Sequence, residues 1–158
     1  MREILLTKGK VAIVDDEDFE EVNKHKWYCM PHRNTFYACR HGGNYSIINM
    51  SHQIMGNVDG KVIDHINRNG LDNRRCNLRF CSVSENCRNK KLNSNNTSGF
   101  RGVHWDLKCK KWVVQVQSNY TVVYRALFDD KVEAAMDYDR KARELFGDFV
   151  VLNFPSKE

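Results

Sequence analysis

Between Val62 and Phe80 the chain reads VIDHINRNGLDNRRCNLRF. A β-branched run closes on Asp64-His65, a loop of Asn, Arg and Gly follows, and Asn77 opens the next apolar run. A surface loop needs turn formers, but it does not need an Asp-His pair at its mouth. These residue types suit phosphodiester hydrolysis. A histidine can take a proton from water, and a hard divalent cation on oxygen ligands can neutralise the charge that builds on phosphorus and on the leaving oxygen. Asp64 is the candidate ligand and His65 the candidate base. Asn77 is placed to hydrogen-bond the His65 ring, as a third group commonly orients a base. Asn86, further along, can offer an amide oxygen opposite Asp64. Neighbours on a strand point to opposite faces, so the strand must end or kink here for both side chains to serve one pocket. Taken singly, each of these residues is better explained as part of a polar turn; taken in order, they favour a site.

The elements around them follow from local pattern. KVIDHI and NLRFC read as strands, with NRNGLDNRR as the loop between them. In SVSENCRNKKL, Ser82 and Glu85 form a capping box that opens a helix, with Asn86 in its first turn. Strand, loop, strand and helix make one supersecondary unit. Upstream, ILLT-KGK-VAIV predicts a hairpin and DDEDFEEVNKHKW a short helix with its acids at the N-terminal end. FYACR and YSIINM read as strands, and SHQIMG as a helical turn closed by Gly56. Downstream of the polar stretch NSNNTS come three short strands, FRGVHW, KWVVQVQ and VVYRALF. Trp112, Val114 and Val116 share one face of the second strand, and Val113, Gln115 and Gln117 the other. Asp130 and Glu133 open a last helix that Gly147 stops, with a stripe of Val132, Ala135, Tyr138, Ala142, Leu145 and Phe146 to lay on the sheet. Trp105 and Trp112 are expected in that core rather than as stacking surfaces.

The chain has 158 residues and a net charge of +5, unevenly placed. Residues 59–95 carry eight basic and four acidic side chains, and residues 96–128 carry five and one. Residues 1–58 are balanced at seven each, and residues 129–158 are acidic. Positive charge confined to the middle of a chain is the footprint expected where a protein meets phosphates. No apolar run approaches the ~20 residues of a membrane span, and the N-terminus lacks the apolar core of a signal peptide. None of the six cysteines forms a Cys-x-x-Cys pair, so they are expected as reduced thiols of a cytoplasmic protein rather than zinc ligands.

DHINRNGLDNRRCNLR followed by SENCRN resembles the HNH endonucleases with a ββα-metal site, most closely the free-standing or intron-encoded homing endonucleases of phages. The resemblance covers roughly residues 50–92. It implies Asp64 and Asn86 as metal ligands, His65 as the general base, Asn77 as the residue that positions the histidine, and Mg²⁺ or Mn²⁺ as the ion. His52 and Asn89 sit at positions that are often polar in the family, without fixed roles.

GFRGVHWDLKCKKWVVQV, YRALFDDKVEAAMDYDRKARELFG and LNFP resemble the Apetala-type, ethylene-response-factor DNA-binding domain over residues 97–155. That resemblance implies a three-stranded sheet in the major groove with a helix behind it. Arg101 and Gly102 match the family's Arg-Gly. Gln115 and Gln117 stand where plant members use Glu and Arg, and Ala126 replaces a usual Gly.

The expected architecture is α+β: a β-rich scaffold over 1–58, a ββα-metal unit over 59–92, a linker over 93–98, and a sheet-on-helix domain over 99–155. The expected function is a homing-type endonuclease that cuts double-stranded DNA as a monomer, in a bacterial or phage-infected cell. Arg68, Arg74, Arg75, Arg79, Lys90 and Lys91 are expected to hold phosphates. Arg101, His104, Gln115, Gln117, Tyr124 and Arg125 are expected to read bases and backbone. A DNA-binding regulator with an inactive nuclease unit, or a restriction-type nuclease, are the alternatives.

Overall fold

The structure is a computed structural model that describes residues 1–32, 35–90 and 92–155. Lys91, one of the expected phosphate contacts, lies outside the described residues. The chain folds into two compact units, Met1–Val83 and Ser84–Glu158.

In the first unit, β1 (Arg2–Leu5) and β2 (Val11–Val14) form the expected antiparallel hairpin. Helix α1 (Asp16–Asn23) follows, its first turn carrying Asp16, Glu17 and Asp18, where negative charge suits the helix dipole. A second sheet has the order β3 (Tyr28–His32), β4 (Thr35–His41), β5 (Ile47–Asn49). Helix α2 (Met50–Met55) ends at Gly56, whose φ of 75° is a conformation that costs a side chain dearly. β6 (Val62–His65) and β7 (Leu78–Cys81) pair antiparallel, and α3 (Val83–Arg88), all but its first residue in the second unit, begins directly after Ser82, where the capping box places it. Ile4, Ala12, Val14, Val22, Met50 and Leu78 belong to one core, so the β6–β7 pair is built onto the same interior as the hairpin and α2. Met50, Val14 and Val22 are almost completely buried, each contributing about 1.5–3 kcal/mol. β3 lies where the sequence predicts no strand. Pro31 lies within it and demotes such a run, but the strand is at the edge of its sheet, where a missing N–H is tolerated.

The second unit is a sheet of order β10–β9–β8 laid on one helix: β8 (Val103–Asp106), β9 (Lys111–Ser118), β10 (Thr121–Phe128) and α4 (Lys131–Phe146). The α+β class and the antiparallel sheet on a helix are as read from the sequence. Asp130 caps α4, its carboxylate accepting from the N–H groups of Val132 at 2.7 Å and Glu133 at 2.9 Å. Val103, Val114 and Val116 meet Ala134, Ala135, Tyr138 and Ala142. The apolar stripe differs from expectation at its ends, since Val132 and Leu145 are each 44% exposed. The alanines let helix and sheet approach along a line of small residues, which leaves the bulkier side chains beside that line. Asp139 is buried instead, accepting from the backbone of Asn153 at 2.8 Å and of Phe154 at 2.7 Å, which explains the LNFP tail. Asn153 in turn accepts from the Arg101 backbone N–H at 2.7 Å. Gly102 follows Arg101 with φ 69°, and a Cβ there would stand 2.1 Å from the Tyr138 ring, so no other residue fits.

Candidate active site

The strand β6 ends at His65, and the last two residues of the strand are both buried, Asp64 to 5% exposure and His65 to 6%. Asp64 lies opposite Arg79 in the ladder, and His65 lies opposite Leu78. The Arg79 guanidinium donates to Asp64 Oδ2 from Nε at 3.0 Å and from Nη2 at 2.9 Å.

Between the strands the chain forms a loop in which Asn67, Asp72, Arg74 and Asn77 are bonded to one another. Asn77 donates from its amide to the Asp72 carbonyl at 2.7 Å and accepts the Asn67 N–H at 2.9 Å. Asn67 also donates to the Asp72 carboxylate at 2.8 Å, and Arg74 grips that carboxylate with two 2.7 Å bonds. Gly70 donates its N–H to Thr35 Oγ1 at 3.2 Å, and a Cβ on it would lie 2.5 Å from the Tyr37 ring. This close approach brings the loop against β4. Tyr37 then packs on His65, ring centroids 5.7 Å apart.

The expected bond from Asn77 to the histidine is replaced. Asn77 holds the two ends of the loop together, and the ring hydrogen bond goes to Asn73, with Oδ1 3.2 Å from His65 Nε2. Asn73 was not singled out in the sequence, because one Asn in an Asn-rich loop carries no local signal of its burial. Burial pushes the His65 imidazole below its ordinary value. The Asn73 bond and the charges of Asp64 and Asp72 oppose this without reversing it. The ring is therefore neutral near pH 7 and able to accept a proton. Burial, then the Asp64 charge, raises the Tyr37 hydroxyl in the opposite direction. His52, on α2, keeps a buried Nδ1 without a hydrogen-bond partner.

Of the arginines assigned to phosphates, Arg74, Arg75 and Arg79 are each paired with a carboxylate of the fold, Arg79 largely buried and Arg75 exposed. Arg75 holds Asp18 at 2.7 Å and Glu17 at 3.1 Å. Each would have to share a carboxylate with a phosphate to serve as expected. Arg68 is exposed in the loop, at φ 64°, and Lys90 is exposed in the second unit. Asn86 lies on α3 in the second unit, with Asn89 buried one turn on. No group of three or more His, Cys, Asp or Glu that could hold a metal occurs among the described residues. The assigned donors are one carboxylate and one amide, both hard oxygens, which suits an ion that keeps several of its waters.

A model of the HNH endonuclease family matches residues 53–88, from α2 through β6, the loop and β7 to the end of α3. The chain is 33% identical over 90 residues to Protein 3.8 of Escherichia phage T7, covering 57% of this chain and 74% of that protein. It is 26% identical over 151 residues to the uncharacterized HNH endonuclease L560 of Acanthamoeba polyphaga mimivirus, covering 92% of this chain and 76% of the relative. The chain belongs to the HNH endonuclease family. No solved structure matches it. The family match takes in Asp64, His65, Asn77 and Asn86 and, with them, Asn73.

Outside the HNH match, the sheet of the second unit sorts the expected readers by face. Gln115 pairs with Arg125 across β9 and β10, and His104 pairs with Val113. These lie on the face away from α4, with His104, Gln117 and Arg125 exposed. Tyr124 does not belong with them. It pairs with Val116, which packs on α4, and its hydroxyl donates to Asp137 of that helix at 2.8 Å. A bulge between Val122 and Tyr124 shifts the register, and adjacent Tyr124 and Arg125 cannot share a face. Arg101 precedes β8, its guanidinium donating to the Lys90 carbonyl. Trp112 packs on the helix-side core, and Trp105 stacks edge-on against it while remaining 41% exposed. An open cleft of about 350 Å³ is lined by Gly102, Val103, His104, Gln115, Gln117 and Tyr138.

Proposed function

We propose that this HNH protein is a homing-type endonuclease that hydrolyses phosphodiester bonds of double-stranded DNA. The observation that carries the reading is a buried histidine at the end of β6, next to a buried carboxylate in the chain. In this reading His65 takes the proton of the attacking water. Asp64 and Asp72 favour the imidazolium that results, because both charges raise its affinity for a proton. Tyr37 packs against the ring in a tilted contact, centroids 5.7 Å apart. Asn77 keeps the loop closed, so the histidine cannot drift from the carboxylate.

Asp64 and Asn86 are the proposed ligands for one Mg²⁺ or Mn²⁺, Asn86 on the strength of its spacing and of the family resemblance. When bound, the ion would supply charge neutralisation at the phosphate and leaving oxygen. The second unit is proposed to dock its sheet in the major groove, as the Apetala-type resemblance implies, with His104, Gln115, Gln117 and Arg125 toward the bases. Lys90, Lys91, Arg68 and Arg101 would then meet the backbone. A cytoplasmic monomer is proposed with it. No helix among the described residues is long and apolar enough to cross a membrane.

A non-cleaving DNA-binding regulator has one observation in its favour, since Arg79 already occupies an oxygen of Asp64. Incubating plasmid and genomic DNA with the protein in Mg²⁺ and in EDTA separates the two. Mapped breaks formed only with the ion support the nuclease. Binding without breaks in either condition rejects it.

A further inference from the structure

We infer that Asn73 is a positioning residue for His65, holding the imidazole by its Nε2–H. The inference rests on His65 as the general base, and it adds a residue that acts through the histidine and touches no substrate.

Three observations support it. The Asn73 Oδ1 lies 3.2 Å from His65 Nε2. Asn73 is only 1% exposed, and its Nδ2 is buried without a hydrogen-bond partner. A buried donor left unmade is a cost that a small apolar side chain would avoid. The residue therefore gains nothing from its second amide atom, and its one useful contact is to the ring. Third, the Asn73 backbone is held by an element far from the strand that carries the histidine. Its N–H donates to the Ile13 carbonyl of β2 at 2.8 Å, and the Ile13 N–H donates to the Leu71 carbonyl at 2.8 Å. The acceptor is thus fixed from the hairpin scaffold, and the ring meets both Asn73, at Nε2, and the Tyr37 ring.

The direction of the bond has a chemical consequence. With Oδ1 facing Nε2, the ring nitrogen must carry the proton, both as neutral imidazole and as the imidazolium formed after water gives up its proton. A reversed amide would set two donors against each other in the charged form. The neutral ring accordingly carries its lone pair on Nδ1, and Nδ1 is the atom that receives the proton.

The test compares full-length wild type with Asn73→Ala and Asn73→Asp. Asp keeps an oxygen acceptor where Ala has none. The ring ¹⁵N shifts of His65, assigned by their loss in His65→Gln, report the tautomer without any need for cleavage. Cleavage of a plasmid in Mg²⁺ at saturating protein gives the rate, and the dissociation constant for the same DNA in Ca²⁺ gives binding. Wild type is expected as the Nε2–H tautomer. Asn73→Ala is expected to lose that preference and to cut roughly 10- to 100-fold more slowly, less than the 10²–10⁴-fold that loss of the general base itself would cost, with DNA affinity unchanged. Asn73→Asp is expected to restore the tautomer and most of the rate. A His65 tautomer that is the same in Asn73→Ala and wild type overturns the inference, as does an Ala variant that cuts at the wild-type rate. A wild type that never cuts while the tautomer still changes in Asn73→Ala sinks the nuclease reading and leaves the Asn73 contact standing.

Discussion

Asp64 and Arg79 stand directly opposite each other on β6 and β7, with Nη2 2.9 Å from Oδ2 and both side chains largely buried, 17% exposed for Arg79 and 6% for Asp64. The proposed metal ligand is therefore a neutralised carboxylate in the free protein. A cation arriving at Asp64 must share it with the guanidinium.

That arrangement predicts a stability exchange. Arg79→Leu takes the guanidinium away from a buried carboxylate, and breaking a buried pair from one side costs about 3 kcal/mol or more. A divalent cation that binds Asp64 replaces the missing charge. The variant should melt well below wild type in EDTA and recover in Mn²⁺ by more than wild type does. Equal responses to Mn²⁺ in the two proteins would remove Asp64 from the ligand set.

His65→Ala should cut DNA roughly 10²–10⁴ more slowly while binding it as tightly as wild type. Because burial lowers the imidazole below its ordinary value of 6.5, the neutral base should persist into mildly acidic solution. Wild-type cleavage should accordingly begin to fall only below pH 6.5. A rate in His65→Ala equal to wild type at neutral pH rules out the assignment.

The loop should be acid-sensitive through Asp72. The hydrogen bonds from Arg74 hold its carboxyl below the usual range. A carboxylate whose folded value is depressed adds stability above its unfolded value, about 3.9, and that contribution is lost as pH falls through the folded value. Urea midpoints measured from pH 6 downward should drop less steeply in Asp72→Asn than in wild type, and parallel curves would place the acid sensitivity elsewhere.

The two faces of the C-terminal sheet should respond differently. Replacing Gln115 or Arg125 by Ala should weaken discrimination among DNA sequences by about 1–3 kcal/mol per lost base contact. Tyr124→Phe removes the bond to Asp137 and should cost about 0.5–1.5 kcal/mol of stability, with the DNA preference unchanged. A selection from random duplexes, run with each variant, reads both expectations. A changed preference in Tyr124→Phe would contradict the facing described above.

Short-range rules made much of this protein legible from its residues. The alternation along β9 separates Gln115 and Gln117 from Val114 and Val116, because a pleated strand turns successive side chains to opposite sides. Asp130 and Gly147 mark the ends of α4, because a helix leaves unpaired N–H and C=O groups that such residues satisfy. Asp64 and His65 at a strand end, with Asn77 and Asn86 at their spacing, marked the HNH segment that the family match covers.

Other features were settled only when distant segments met. Arg75 reads as one more phosphate-seeking arginine, yet its backbone N–H is bound by Asp15 from 60 positions away and its guanidinium by Asp18. Tyr124 reads as a neighbour of Arg125 on one surface, until a bulge and the Asp137 carboxylate assign it to the helix side. Asn73 reads in the local sequence like the turn-forming Asn67 and Asn69, yet its backbone is bonded to Ile13 of β2 and its side chain is buried against His65 Nε2. Periodicity and capping act over a few residues and so are written in the local sequence. Which carboxylate meets which arginine, and which amide meets the histidine, depends on contacts between segments far apart in the chain, which no local pattern encodes.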